Sequence, residues 1–143
     1  MADQQPDFGD ISEQLAAIQR TLHEMNGRLN LIGGGLVKID ERLDLIEDKL
    51  DLVETRQLAS TANTVARGLN SAVQHLDRPL HPLRNLKTGQ AIPEFPKRLE
   101  KIDSMSGPAL GNVLRALEQP TNGTLAEKKR RLKVAIGVVM QAV

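Results

Sequence analysis

Thirteen large apolar residues recur along the first 53 positions at spacings that alternate between four and three without an error: Ile11, Leu15, Ile18, Leu22, Met25, Leu29, Ile32, Leu36, Ile39, Leu43, Ile46, Leu50 and Val53. A straight helix turns once every 3.6 residues, so a stripe held strictly at 3.5 drifts around it unless the helix supercoils. A helix lying on a globular core rarely keeps so strict a period for so long. The pattern predicts helices wound around one another. The expected fold class is all-α: a long N-terminal parallel coiled coil, then a Pro-rich extended segment, then a small helical C-terminal module.

The residue types in the seam bear on its order. Leu15, Leu22, Leu29, Leu36, Leu43 and Leu50 take position a; Ile11, Ile18, Met25, Ile32, Ile39, Ile46 and Val53 take position d. Leu at a with β-branched residues at d disfavours a parallel pair and favours trimers or tetramers. A homotetramer is expected ahead of a trimer. Arg42 and Lys49 fall at g, and Glu47 and Glu54 at e of the following heptads. Parallel neighbours bring these opposite charges together, each pair contributing ~0.5 kcal/mol, whereas antiparallel neighbours oppose like charges.

Gly33, Gly34 and Gly35 interrupt this helical pattern, with Asn26-Gly27 just upstream. Each glycine costs ~1 kcal/mol against Ala inside a helix. Yet Ile32 and Leu36 keep the required spacing of four across them, and no Ser, Thr, Asp or Asn stands ready to cap a new helix before Leu36. A continuous coiled-coil oligomerisation helix over 10–76 is therefore expected, opened by Asp10 with Glu13 as a capping pair and preceded by a disordered tail over 1–9. A break at 26–35 is the alternative. It would fold 10–32 against 36–57 as a hairpin. Beyond Val53 the phase slips by one residue, and Leu58, Ala62, Val65, Leu69, Ala72 and Leu76 resume the same spacing with smaller side chains.

Composition fits helix-on-helix burial. The only aromatics are Phe8 and Phe95. No Cys is present, which excludes disulfides, thiol catalysis and Cys-ligated metals. No apolar run approaches the ~18 residues of a membrane span, and the acidic, polar start lacks a signal pattern. A cytoplasmic or nuclear protein without a membrane partner is expected. Residues 1–60 hold 12 acids and 6 bases, net −6; residues 61–143 hold 6 acids and 13 bases, net +7. An acidic half joined to a basic half implies two modules.

Residues 77–96 carry Pro79, Pro82, Pro93 and Pro96 and cannot form a continuous helix. Leu80, Leu83 and Leu86 repeat every three residues, the period of polyproline II. A disordered linker needs no such leucines, nor Ile92 and Phe95, so an ordered linker packed on its own protein is expected. Residues 97–143 read as three short helices. The first follows Pro96 and turns Leu99, Ile102 and Met105 inward. Ser106 caps the second, which buries Leu110, Val113, Leu114 and Leu117. Thr124 and Glu127 form a capping box for the third, whose inner face is Leu125, Leu132, Ile136, Val139 and Met140.

The stretch "MSGPALGNVLRALEQPTNGTLAEKKRRLKVAIG" resembles the SAP helix-loop-helix motif. Leu110, Val113, Leu114, Leu117, Gly123, Lys128 and Leu132 stand at roughly matching positions, although the loop "EQPTNGT" is longer and more polar than that family's. Members of that family commonly bind DNA, so the resemblance implies a nucleic-acid-binding module. Lys128, Lys129, Arg130, Arg131 and Lys133 are the residues to neutralise phosphates there; a solvated helix face is the plainer account of the same charges.

Little else carries chemistry. His75, Asp77 and His81 are the one metal-like grouping, and the intervening prolines spoil helical ligand geometry. The triple glycine lacks the Lys-Ser/Thr of a phosphate loop. No catalytic residue, metal or cofactor is expected. The chain reads as a non-enzymatic homo-oligomeric scaffold or adaptor that presents several copies of a C-terminal recognition module. Its expected partners are itself and an unidentified protein. The alternative is an oligomeric nucleic-acid-binding protein using the SAP-like basic helix pair.

Overall fold

The computed structural model describes Gln5, residues 7–73 and residues 75–139. It is all-α: α1 (Phe8–Ser71), α2 (Leu99–Asp103), α3 (Gly107–Ala116) and α4 (Leu125–Ala135), with only two isolated bridges among the described residues, Pro79 with Arg98 and Arg84 with Ala91. Internal contacts divide the chain into two units, Met1–Glu47 and Asp48–Val143.

Helix α1 starts earlier than the sequence reading placed it. The cap is Asp7, whose Oδ1 accepts from the N–H groups of Gly9 at 3.0 Å and Asp10 at 3.4 Å. A Cβ on Gly9 would lie 3.2 Å from that oxygen, so glycine leaves room for the cap. Asp10 sits within the first turn, where its carboxylate accepts from Gln14. Phe8 and Gly9 are thus helical rather than part of a disordered 1–9 tail; residues 1–4 and 6 of that tail lie outside the described residues.

The helix runs unbroken through Asn26-Gly27 and Gly33–Gly35. A break there would forfeit several backbone hydrogen bonds. A Cβ at any of these four glycines would meet nothing within 4 Å, so no contact within the chain demands glycine there. α1 ends at Ser71, five residues short of the expected position 76. Its last turn tightens as Ala72 and Val73 donate to the carbonyls of Leu69 and Asn70, and the Ser71 hydroxyl donates to Gly68.

The core lies in the second unit. Leu80, Leu83 and Ile92 from residues 75–98 meet Leu99 and Ile102 of α2, Leu110, Val113 and Leu114 of α3, and Leu132 and Ile136 at the end of α4. Leu86 is half-buried, and its N–H donates to the carbonyl of Ala116. A turn over Asn85–Gly89 reverses the chain. The Asn85 carboxamide accepts from Lys87 and Thr88, and Gly89 takes φ +69°.

Helices α3 and α4 start where their caps predict. Ser106 accepts from the N–H of Ala109, and Thr124 with Glu127 forms a complete capping box. The C-terminal face departs from the expected one. Leu125 and Val139 are exposed, and Val138 is buried instead; Met140 lies outside the described residues. Gly137 is the cause. It adopts φ +91°, its N–H donates to Val134 and that of Val138 donates to Lys133. These paired bonds close α4 in a Schellman motif, so the helical phase that selected Val139 no longer applies past Ile136.

Candidate functional site

Two features stand out: the apolar seam of α1, and the assembly of residues 75–139 on the last turns of that helix.

All thirteen seam residues, from Ile11 to Val53, are exposed, at 43–62% of their full area. No part of the described chain covers them. A monomer that leaves this apolar row half in water forgoes roughly 1 kcal/mol for each side chain whose remaining exposed part it does not bury. Contiguous apolar exposure on this scale is unusual for a chain that stays single in water. Ile39, Arg42, Leu43 and Ile46 surround one shallow recess. Their spacing of i, i+3, i+4 and i+7 is that of the hole which accepts a neighbour's side chain in knobs-into-holes packing.

The last four turns of α1 anchor the rest of the chain, on a face that the apolar pattern does not mark. The buried residues of α1 are Ala59, Asn63, Ala66 and Asn70, spaced four, three and four. The stripe of Leu58, Val65 and Leu69 is instead 48–66% exposed, and Leu76 lies beyond the helix and is also exposed. The two alanines let chain approach closely, and the two asparagines hold it. Asn63 accepts from the N–H of Arg84 at 2.6 Å and donates to its carbonyl at 2.9 Å. Asn70 accepts from the N–H of His81 at 2.7 Å, donates to its carbonyl at 3.0 Å, and donates to the carbonyl of Ile136 at 2.9 Å. Arg67 reaches the carbonyl of Ala135 at 2.7 Å, and Arg56 pairs with Glu118. A Cβ on Gly137 would lie 2.5 Å from the Arg67 carbonyl oxygen, so α4 ends directly against α1.

The five basic residues of α4 do not act as one cluster. Lys133 pairs with the Asp103 carboxylate at 2.9 Å, and Lys129 donates to the Asp103 carbonyl. Arg131 clamps the loop before α4 by donating to the carbonyls of Pro120 at 2.9 Å and Asn122 at 2.7 Å. Lys128 and Arg130 make no hydrogen bond or ion pair among the described residues. The N-terminus of α4 is likewise occupied. The Glu127 carboxylate accepts from the Thr124 N–H at 2.7 Å and from its hydroxyl at 3.2 Å. Those bonds, with Arg131 nearby, hold the Glu127 carboxyl below its ordinary pKa. An incoming phosphate would compete there with a carboxylate already in place.

Among the described residues, no group of three His, Asp or Glu side chains is gathered closely enough to hold a metal, His75, Asp77 and His81 included. His81 contributes its backbone to Asn70. No described helix is long and apolar enough to cross a membrane. Comparison with protein-family models, with curated proteins and with solved structures returns no match. The SAP-like stretch, residues 105–137, holds α3, the loop after it and α4.

The exposed seam and the five basic residues were both named from sequence. The Asn63–Asn70 face was not. Its only signal in the sequence is Ala and Asn alternating at helical spacing, beside the more apolar stripe of Leu58, Val65 and Leu69.

Proposed function

We propose that the chain is a non-enzymatic homo-oligomeric scaffold or adaptor. Residues Ile11 to Val53 wind copies into a parallel coiled coil, a tetramer ahead of a trimer, and each copy presents the helical module built around α2, α3 and α4. The extended Pro-rich segment fixes that module to its own α1 rather than tethering it loosely. Each module meets an unidentified protein, and gathering several copies raises avidity without new contacts.

The observation that carries this reading is that all thirteen seam residues stay 43–62% exposed along an unbroken helix. Sedimentation equilibrium of the full chain at micromolar concentration tests it. The expected mass is three or four times that of one chain, and a monomer at all concentrations overturns the reading.

The nucleic-acid alternative draws less support from the geometry. Three of its five basic residues, Lys129, Arg131 and Lys133, already hold Asp103 or the loop before α4.

A further inference from the structure

We infer that the contact between copies continues past Val53, after a one-residue skip, along Leu58, Ala62, Val65 and Leu69. The occupant of that face is a second copy of this chain, parallel and in register. This inference rests on the proposed oligomer and extends it into the part of α1 that carries the module.

Two phases are open to the helix beyond Val53. The original one continues through Gln57, Ser60, Thr64 and Arg67, which offers no apolar side chain. The Thr64 hydroxyl donates to the Ser60 carbonyl, and Arg67 is committed to Ala135. The other phase begins one residue late and resumes the four-three-four spacing. Leu58 is 66% exposed, Val65 61% and Leu69 48%. The module does not cover them, because it sits on Ala59, Asn63, Ala66 and Asn70.

Three features point to a second copy rather than a different partner. The stripe lies on the same uninterrupted helix as the seam and repeats its spacing. A one-residue skip turns the apolar face by about 100°, and the inferred contact requires local unwinding of the coil over the turns around Val53 to take up that rotation. No charged residue occurs from Gln57 to Ala66, so identical copies would meet there without opposing like charges.

Cysteine cross-linking decides between the phases, since the chain has no Cys of its own. Five single variants of the full chain are oxidised and run without reductant: Ile39→Cys within the seam, Leu58→Cys and Val65→Cys in the skipped phase, and Gln57→Cys and Thr64→Cys in the original phase. The inference expects the band to shift to twice the chain mass for Ile39→Cys, Leu58→Cys and Val65→Cys, and to stay at one chain mass for the other two. If Ile39→Cys cross-links but Leu58→Cys and Val65→Cys do not, the inference is overturned and the oligomer stands. If Ile39→Cys also fails, the oligomer falls and takes the inference with it.

Discussion

Asn70 and His81 are bonded twice, side chain to backbone: the His81 N–H donates to Asn70 Oδ1 at 2.7 Å, and Asn70 Nδ2 donates back to the His81 carbonyl at 3.0 Å. Asn63 repeats the arrangement with Arg84. The partners are seven residues apart on the helix and three apart on the segment beside it. Seven helical residues rise ~10.5 Å, and three residues of extended chain cover about that distance. The pairing thus satisfies backbone groups that have no sheet or helix to bond them. It also turns Leu80 and Leu83, again three apart, toward the core.

Removing either carboxamide strands backbone groups that are part-buried, and in the case of Ile136 buried. Asn63→Ala leaves the Arg84 N–H and carbonyl without partners and is expected to cost about 2 kcal/mol. Asn70→Ala also strands the Ile136 carbonyl and is expected to cost about 3 kcal/mol or more. Asn70→Asp should be no rescue, because a carboxylate accepts from His81 but donates to neither carbonyl. Urea denaturation of the full chain measures all three, and equal, negligible losses would show that water replaces these bonds.

Two glycines should respond to alanine with opposite signs. Gly34→Ala is expected to stabilise by up to ~1 kcal/mol, since the position is helical and a Cβ there meets nothing. Gly137→Ala is expected to destabilise by at least ~2 kcal/mol. It demands φ +91° of an L side chain and drives a Cβ to 2.5 Å from the Arg67 carbonyl oxygen. Thermal melts of the two variants against the parent give the comparison, and a loss for Gly34→Ala would contradict the continuous helix.

Features read correctly from sequence are those whose cause is local. The capping box needs only Thr124 and Glu127, three residues apart, and continuity across Gly33–Gly35 follows from the spacing of Ile32 and Leu36. The docking face was hidden because apolar patterning ranks Leu58, Val65 and Leu69 above Ala59, Asn63, Ala66 and Asn70. Burial here is decided by close approach and by bonds to chain 11–21 residues away. The basic run looked like one cluster because Asp103, which holds two of its members, lies 26 and 30 residues upstream. Past Ile136 helical phase stops predicting burial because Gly137 takes φ +91° and closes α4.

Glu127 gives the C-terminal module an acid-sensitive element. Its folded pKa is lowered, chiefly by the Thr124 N–H and then by the Thr124 hydroxyl. A carboxyl with a depressed folded pKa contributes stability above its unfolded value, and that contribution is lost as pH falls through the folded pKa. Glu127→Gln should therefore lower stability at neutral pH and remove part of the loss seen below about pH 4.5. Denaturation midpoints of both proteins from pH 7 down to pH 3 should converge toward the acid end. Parallel curves would assign the acid loss to other groups.

The basic residues of α4 should separate into two groups. Lys133→Glu and Arg131→Glu set a negative charge against Asp103 or against loop carbonyls, and each is expected to destabilise by about 1–2 kcal/mol. Lys128→Glu and Arg130→Glu should leave the melting temperature within about a degree of the parent, because no bond within the described chain is lost. A labelled DNA duplex titrated at ~50 mM salt, where phosphate contacts are strongest, is expected to show no binding. Tight binding that Lys128→Glu and Arg130→Glu abolish would instead favour the nucleic-acid alternative.

The seam itself is tested by charge. Ile39 and Leu43 are half exposed in the single chain, at 53% and 50%, so an aspartate at either position costs the isolated chain little. In a coiled coil the same substitution places a carboxylate at one layer of every copy, in a core without a compensating cation. Like charges then meet around the axis. Ile39→Asp and Leu43→Asp are each expected to reduce the sedimentation mass to that of one chain. The C-terminal module should keep its fold, since its core residues, from Leu80 to Val138, are remote in sequence from the substitution and pack among themselves and Ala66. Circular dichroism should report lost helix in α1, whose exposed seam no longer finds partners, while Asn70→Ala in the same background still shows its own unfolding cost. An unchanged oligomer mass in both charge variants would place the contact between copies somewhere other than the seam.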